Sequence, residues 1–184
     1  MALTESNPFK SEKKAPNFTL FNVVDKKMDS LHDLKGAQGT LILFLCNHCP
    51  FVIHINDFLV RLADMYQARG IKFIAISSND VEKYPQDSPK KMKELSKKVG
   101  YPFPYLYDET QEVAKAYDAA CTPDIFLFDT NLNLYYHGQL DDSRPGNKIP
   151  VTGKDLKLAM DKLIENKTYS ENVKPSMGCG IKWK

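Results

Sequence analysis

The sequence predicts an α/β protein with a mixed central sheet flanked by helices on both faces. Two observations carry this prediction. Apolar strand patterns alternate with amphipathic helix patterns along most of the chain, and two strands joined by a short turn precede the last helix. Alternation favours parallel pairing, whereas a short turn between strands requires antiparallel pairing. With 184 residues, 42% of them hydrophobic, the chain can form one domain with a substantial core.

The first predicted elements form a short β-hairpin. Apolar residues from Phe18 to Val24 indicate a strand, and residues 25–27 (DKK) supply a polar turn. Ser30 can then cap a brief helical turn, which Gly36 ends. The hairpin extends the sheet at its N-terminal side.

Two buried strands and one helix make the predicted centre of the sheet. Residues 40–45 (TLILFL) and 71–77 (IKFIAIS) are apolar runs of the length of buried strands. The segment between them carries apolar residues at spacings of three and four, which predicts an amphipathic helix. These residues are Val52, Ile55, Leu59, Leu62 and Tyr66. Gly70 ends the helix.

The rest of the chain continues with three helices and three strands. Caps, glycines and apolar spacing define them. In chain order they are a helix from Pro89 to Gly100, a strand over 103–107, a helix capped by Asp108 and Gln111, strands over 125–128 and 132–140, and a helix capped by Thr152 and Asp155. A loop over 141–151 connects the last strand and helix.

Three segments are expected in the domain organisation. Residues 1–14 are polar and are predicted to be flexible, residues 15–168 form the domain, and residues 169–184 form a C-terminal tail. No apolar targeting segment is visible near Met1, and the longest apolar run is too short to span a bilayer. We therefore expect a cytoplasmic protein without a membrane partner.

Charge and cysteine content narrow the function classes. A net charge of +2 gives no argument for nucleic-acid binding. Four cysteines in 184 residues do not make a disulfide scaffold. A close cysteine pair in such a chain points to redox catalysis or to a metal. The composition leaves the oligomeric state open.

The close pair lies where the apolar run 40–45 passes into the helix, as Cys46–Asn47–His48–Cys49 followed by Pro50. A helix N-terminus stabilises negative charge, and the thiolate is the reactive form of cysteine. We therefore predict a lowered pKa at Cys46, which should be the more exposed thiol and the nucleophile. Cys49 can attack a mixed disulfide at Cys46 and release the product. Because Pro50 lacks an N–H, the helix is expected to start late.

His48 lies between the two cysteines, and two interpretations of it stay open. An imidazolium would stabilise a neighbouring thiolate, or His48 is simply an exposed loop residue. A zinc site needs further ligands at suitable spacing, and the chain has no second CxxC motif. We expect neither a cofactor nor a resident metal.

At these residues the chain resembles the thioredoxin superfamily, in its redoxin branch. The CNHC motif resembles the family's dithiol, Thr122–Pro123 before a strand resembles its cis-proline, and CNHCPF with the tail GCGIKWK resembles a thioredoxin-like redoxin family named after alkyl hydroperoxide reductase. The resemblance covers residues 15–184. It implies a thioredoxin fold with an N-terminal β-hairpin extension, and a cis peptide at Thr122–Pro123 that directs the Thr122 backbone at an extended substrate.

The chain departs from related patterns at two places. Residues 40–45 contain no acidic residue that could act as a buried proton acceptor. The peroxiredoxin threonine position, aligned on the Cys49–Pro50 step, is occupied by Cys46.

Three functions remain open. The first is a thiol–disulfide oxidoreductase acting on protein or small-molecule disulfides, regenerated by an external thiol reductant. The second is a peroxiredoxin-like thiol peroxidase with an antioxidant role, which needs donors such as Arg144 to polarise a hydroperoxide. The third is a copper-binding thioredoxin-like module using Cys46, Cys49 and a histidine, because thiolates favour Cu(I).

Four further residues are candidate accessories to the dithiol. The predicted antiparallel return brings the loop with Asp141 and Arg144 to the rim of the site, where it could tune the thiol or be only a solvated turn. Cys121 lies two residues before Pro123, and Cys179 lies between two glycines. Each is either a third redox thiol or a bystander.

Overall fold

The computed structural model describes residues 3–8 and 13–184. Within these residues ten strands are formed. They are β1 (Leu3–Glu5), β2 (Thr19–Asn22), β3 (Lys27–Ser30), β4 (Gly39–Phe44), β5 (Ile71–Ser77), β6 (Tyr105–Tyr107), β7 (Cys121–Thr122), β8 (Asp124–Phe128), β9 (Leu134–His137) and β10 (Met177–Gly180). The α-helices are α1 (Leu31–Leu34), α2 (Pro50–Gln67), α3 (Pro89–Val99), α4 (Glu112–Tyr117) and α5 (Lys154–Ile164), with a 3₁₀ turn at Pro85–Asp87.

A seven-stranded sheet in the order β3-β2-β6-β5-β4-β8-β9 forms the centre of the molecule. Strands β4, β5 and β6 run parallel, and the remaining neighbours are antiparallel. This confirms the mixed sheet and the thioredoxin fold. The hairpin β2–β3 continues the sheet beyond β6, as the sequence predicts.

Strand β4 lies at the centre, with β5 and β8 as its neighbours. All six of its residues are buried. Leu41 and Leu43 pack into the core under α2, α3 and α5, whereas Ile42 and Phe44 pack into the core under α1 and α4. Alternate strand residues face opposite sides of a sheet, so helices cover both faces.

At the start of α4 the predicted capping by Asp108 is present, because its carboxylate accepts the N–H of Ala114 at 2.9 Å, whereas the side chain of Gln111 donates to the carbonyl oxygens of Ser78 and Lys182. The start of α5 differs from the prediction. Gly153 is the N-cap of α5, and the carboxylate of Asp141 accepts its N–H at 2.6 Å. The return strand β9 is also shorter than residues 132–140. The free N–H groups of a helix start take whichever acceptor the tertiary fold brings near.

A second sheet, in the order β1-β10-β7, corrects the expectation of a flexible N-terminal segment. Leu3 pairs with Cys179, and Cys179 pairs with Thr122. Leu3–Glu5 therefore form an edge strand on β10 and are not a loose segment. Residues 1–2 and 9–12 of the predicted flexible segment lie outside the described residues. In the described part of the chain, no helix is long and apolar enough to cross a membrane.

Candidate active site

Helix α2 begins at Pro50, and Cys49 is its N-cap. Proline suits the first helical position because its missing N–H would have no partner there. The late helix start expected from Pro50 is confirmed. Because the helix starts at Pro50, its free N–H groups lie at Cys49. The sequence predicts them at Cys46.

The sulfur of Cys49 occupies the middle of a cluster of buried thiols. It lies 2.9 Å from Sγ of Cys179 and 3.0 Å from the carbonyl oxygen of Thr122. It also accepts a hydrogen bond from the thiol of Cys46. Sγ of Cys46 lies 3.3 Å from the hydroxyl of Thr122. All four cysteines are free thiols, and Cys46 is 1% exposed against 0% for Cys49. Cys46 is thus not an exposed thiol.

These contacts place the favoured thiolate at Cys49. The hydrogen bond from the Cys46 thiol lowers the pKa of Cys49 to about 5, supported by the thiol of Cys179 and the N–H of Val52, against the opposing effect of burial. The pKa of Cys46 is raised, because its thiol donates to Cys49, because it is buried, and because Asp87 is negatively charged. The predicted lowering at Cys46 is therefore wrong in the reduced protein.

The peptide bond between Thr122 and Pro123 is cis, as predicted. The Thr122 backbone, however, is not free to meet a substrate. Its carbonyl oxygen lies 3.0 Å from the sulfur of Cys49, and Thr122 pairs with Cys179 in the small sheet. The place expected for an extended substrate is held by the chain's own strand β10.

His48 pairs with a carboxylate that the sequence analysis missed. Nδ1 of His48 lies 2.8 Å from Oδ2 of Asp87, and the imidazole stacks on the ring of Tyr84. Asp87 is completely buried and also accepts the N–H of Asn47 and the side-chain amide of Asn79, both at 2.8 Å. His48 is thus fixed in place rather than loosely exposed. No local pattern marks Asp87, which only precedes a helix cap.

Asp87 supplies the buried carboxylate that strand β4 lacks. One ligand atom each from Cys46, His48 and Asp87 lies within 4.8 Å of the other two. Nε2 of His48 is buried and has no hydrogen-bond partner among the described residues. The imidazole therefore lies near the Cys46 thiol. This group contains one cysteine, Cys46. The copper-binding hypothesis needs two, Cys46 and Cys49.

The loop that contains Asp141 and Arg144 reaches the neighbourhood of Pro123, and Arg144 and Pro123 line the same small pocket. Its charged groups bond to other residues of the loop and to residues that flank it. The guanidinium of Arg144 donates to the carbonyls of Asp141 and Ser143 at 2.6 and 2.8 Å. The carboxylate of Asp141 accepts the N–H groups of Thr152 and Gly153, both at 2.6 Å. The carboxylate of Asp141 thus holds the start of α5, and its carbonyl oxygen accepts from Arg144.

Cys121 is a buried thiol two residues before Pro123. Its sulfur is 3.4 Å from the carbonyl oxygen of Pro123, and burial raises its pKa, with Asp124 adding to the effect. The neighbouring Asp124 is itself completely buried and paired with His137 at 2.8 Å. Burial and the adjacent negative charge keep the Cys121 thiol protonated.

Comparisons with known proteins agree with this fold. The model of the AhpC/TSA family matches residues 12–137. A comparison with curated protein sequences finds no match. Crystal structures of an uncharacterized conserved protein from Geobacillus kaustophilus and of a hypothetical protein from Sinorhizobium meliloti are 57% and 41% identical, with TM-scores of 0.98 and 0.95. The first match covers 100% of this chain and 97% of that one, and the second covers 98% of each.

A more distant structure shows the fold alone. The thioredoxin domain of a thiol-disulfide oxidoreductase from Bacteroides vulgatus is 16% identical over 85% of this chain and 99% of that one, with a TM-score of 0.66.

Proposed function

Because the chain belongs to the AhpC/TSA family, in the redoxin branch of the thioredoxin superfamily, we propose that it is a thiol–disulfide oxidoreductase whose reacting pair is Cys46 and Cys49. The observation that carries the proposal is that both sulfurs meet Thr122 at the cis Thr122–Pro123 peptide: Sγ of Cys46 lies 3.3 Å from its hydroxyl and Sγ of Cys49 lies 3.0 Å from its carbonyl oxygen. Two cysteines brought to one residue, one of them with a lowered pKa, suit two-step disulfide exchange.

The proposed reaction begins at Cys46, the first cysteine of the pair. Its proton passes to Cys49 or to His48, and the resulting thiolate attacks one sulfur of a substrate disulfide. A bond forms between Cys46 and that sulfur, the substrate's disulfide bond breaks, and the other substrate sulfur leaves as a thiolate that takes up a proton. The contacts of Thr122 and His48 support this step, because both can stabilise a charge that develops on Cys46.

Cys49 completes the exchange. Its thiolate attacks the Cys46 sulfur, a Cys46–Cys49 disulfide forms, and the second half of the substrate leaves as a thiolate. The substrate has gained two electrons and the pair has lost two. An external thiol reductant returns them by the reverse exchange. The lowered pKa of Cys49 supports this role, since the resolving thiol must be ionised while buried.

A trapping experiment tests the assignment of roles. We expect Cys49→Ser to accumulate a stable mixed disulfide at Cys46 when treated with a protein or small-molecule disulfide, because the resolving thiol is absent. Cys46→Ser should not accumulate one. Cys121→Ser is the matched control, since it removes a buried thiol outside the cluster. Accumulation in Cys46→Ser alone would reverse the two roles.

A thiol peroxidase is the second candidate, and one observation favours it. The favoured thiolate is at Cys49, which directly precedes Pro50. This thiolate would attack the outer oxygen of a hydroperoxide, giving a sulfenic acid and an alcohol, and a second thiol would then form a disulfide and release water. Rapid consumption of hydroperoxide by the reduced protein, abolished by Cys49→Ser and kept by Cys46→Ser, would favour this activity over disulfide exchange.

A further inference from the structure

Strand β10 carries Cys179 into the position where a substrate disulfide would meet the reacting pair. It runs antiparallel to β7, with Cys179 opposite Thr122 and Gly180 opposite Cys121. Adding a strand to an exposed sheet edge is a general way to bind an extended peptide. Here the added strand belongs to the protein itself, and the residue opposite Thr122 is a cysteine.

The close approach of this strand depends on Gly178. A Cβ atom at Gly178 would lie 2.0 Å from the carbonyl oxygen of Thr122 and 3.1 Å from the nitrogen of Pro123. Both atoms belong to the backbone, so neither can move away cheaply. Only glycine therefore lets β10 pack directly on the cis-proline turn. The contrast with Gly180 is informative, because a Cβ there meets first the side chain of Thr4, at 3.0 Å.

The strand is also anchored on both sides of Cys179. Leu3 pairs with Cys179 from the other edge, and the N–H of Lys182 donates to Asn79 at 2.8 Å. Cys179 is 4% exposed. Its sulfur is 2.9 Å from that of Cys49, so a movement of about 1 Å brings the two sulfurs to the ~2.05 Å of a disulfide.

We infer that Cys179 is a third redox thiol, which takes the disulfide over from the Cys46–Cys49 pair by exchange at Cys49. This relay rests on the proposed function, since the pair must first be oxidised by substrate. Cys179 loses its proton and attacks the Cys49 sulfur. A Cys49–Cys179 bond forms, the Cys46–Cys49 bond breaks, and Cys46 leaves as a thiolate that takes up the proton. The step is an isomerisation without net oxidation.

The relay separates the attacking thiol from the stored disulfide. After it, Cys46 is again a thiol, while the two-electron oxidation is held between Cys49 and Cys179 beneath β10. Cys49 is the shared member because its sulfur alone contacts both others in the described structure. The external reductant would then act on a disulfide that joins α2 to the tail.

The disulfide stored by the oxidised wild-type protein tests the relay. The protein is incubated with glutathione disulfide, the remaining thiols are alkylated, and linked peptides are identified by mass spectrometry without reduction. We expect two thiols to be lost, Cys49 to be joined to Cys179, and Cys46 to be alkylated. Cys46 joined to Cys49, with Cys179 alkylated, overturns the inference. Failure of the proposed function gives a different result, in which Cys46 is joined neither to Cys49 nor to glutathione and all thiols stay alkylatable.

Two variants, Cys179→Ser and Gly178→Ala, test the relay by different substitutions. In oxidised Cys179→Ser, we expect Cys46 to be protected from alkylation, whereas oxidised wild type should leave Cys46 alkylatable. Gly178→Ala should displace β10, and a misplacement of about 1 Å lowers a rate on the order of 100-fold. We therefore expect the Cys49–Cys179 disulfide to form about 100-fold more slowly in Gly178→Ala than in the wild type. Gly180→Ala is the matched control. Equal protection of Cys46 in the wild type and in Cys179→Ser overturns the relay.

Discussion

Nδ1 of His48 lies 2.8 Å from the buried carboxylate of Asp87. This pair adjoins Cys46 and gives the site a proton acceptor with a charged partner. Asp87 comes from the 3₁₀ turn before α3, whereas His48 lies in the loop before α2. The chemistry of Cys46 therefore depends on two separate segments, in addition to its contact with Cys49.

The His48→Phe variant tests the proton acceptor. A phenyl ring keeps the stacking on Tyr84 but cannot take a proton from Cys46. We expect the rate of exchange with a model disulfide at neutral pH to fall roughly 100-fold, within the usual range for loss of a general base. Stopped-flow measurement over a pH series should also show a changed profile. Tyr84→Phe, which keeps an aromatic ring beside the imidazole, is the control. An unchanged rate and profile in His48→Phe would reduce His48 to a packing residue.

The Asp87→Asn substitution tests the charge. Asp87 contributes to the raised pKa of Cys46, after the hydrogen bond to Cys49 and burial. In a Cys49→Ser background, which removes the first cause, Asp87→Asn should lower the pKa of Cys46, measured as the pH dependence of its alkylation. Asp80→Asn is the matched control, because Asp80 is also buried but pairs with Lys83. A higher pKa in the Asp87→Asn variant would contradict the assignment.

The ionisation of Cys49 predicts the pH dependence of the reduced protein. Its pKa is about 5 in the folded state, below the ~8.5 of a free cysteine. A lowered pKa contributes stability that is fully present above the unfolded value and is lost as pH falls through the folded one. Ultraviolet absorption of the thiolate should therefore titrate near pH 5. Cys46→Ala removes the main donor and should raise the midpoint, whereas Cys121→Ala should leave it in place. A midpoint near that of free cysteine in the wild type would contradict this.

Asp141→Asn should affect stability and not exchange. The carboxylate is buried and accepts N–H groups from Ser143, Thr152 and Gly153. The neutral amide presents one acceptor oxygen, so part of the set is left unsatisfied, at a cost of about 1–3 kcal/mol. Urea denaturation should show this loss in the free energy of unfolding, while the rate of disulfide exchange stays at the wild-type value. Arg144→Ala, measured in parallel, should also leave the exchange rate unchanged. A slower exchange with unchanged stability would return this loop to the active site.

The sequence by itself determined the features that depend on neighbouring residues. The apolar run 40–45 became β4, the three–four spacing after Pro50 became α2, and the CxxC motif fell between them. These patterns are readable because the repeats of a strand and a helix span only two to four residues. The same local logic placed the start of α2 at Pro50, and the resemblance to the redoxin branch gave the cis Thr122–Pro123 bond.

Only the tertiary structure decided which thiol has the lowered pKa and what surrounds it. Asp87 is 40 positions from Asn47, whose N–H it accepts, and Cys179 is 130 positions from Cys49. The order of strands in two sheets brings these residues together, and no spacing within the sequence encodes that order. The pKa of a buried thiol follows from its hydrogen-bond donors, its burial and nearby charges. Because distant segments supply those groups, the roles of Cys49, Asp87 and Cys179 emerge only when the chain is folded.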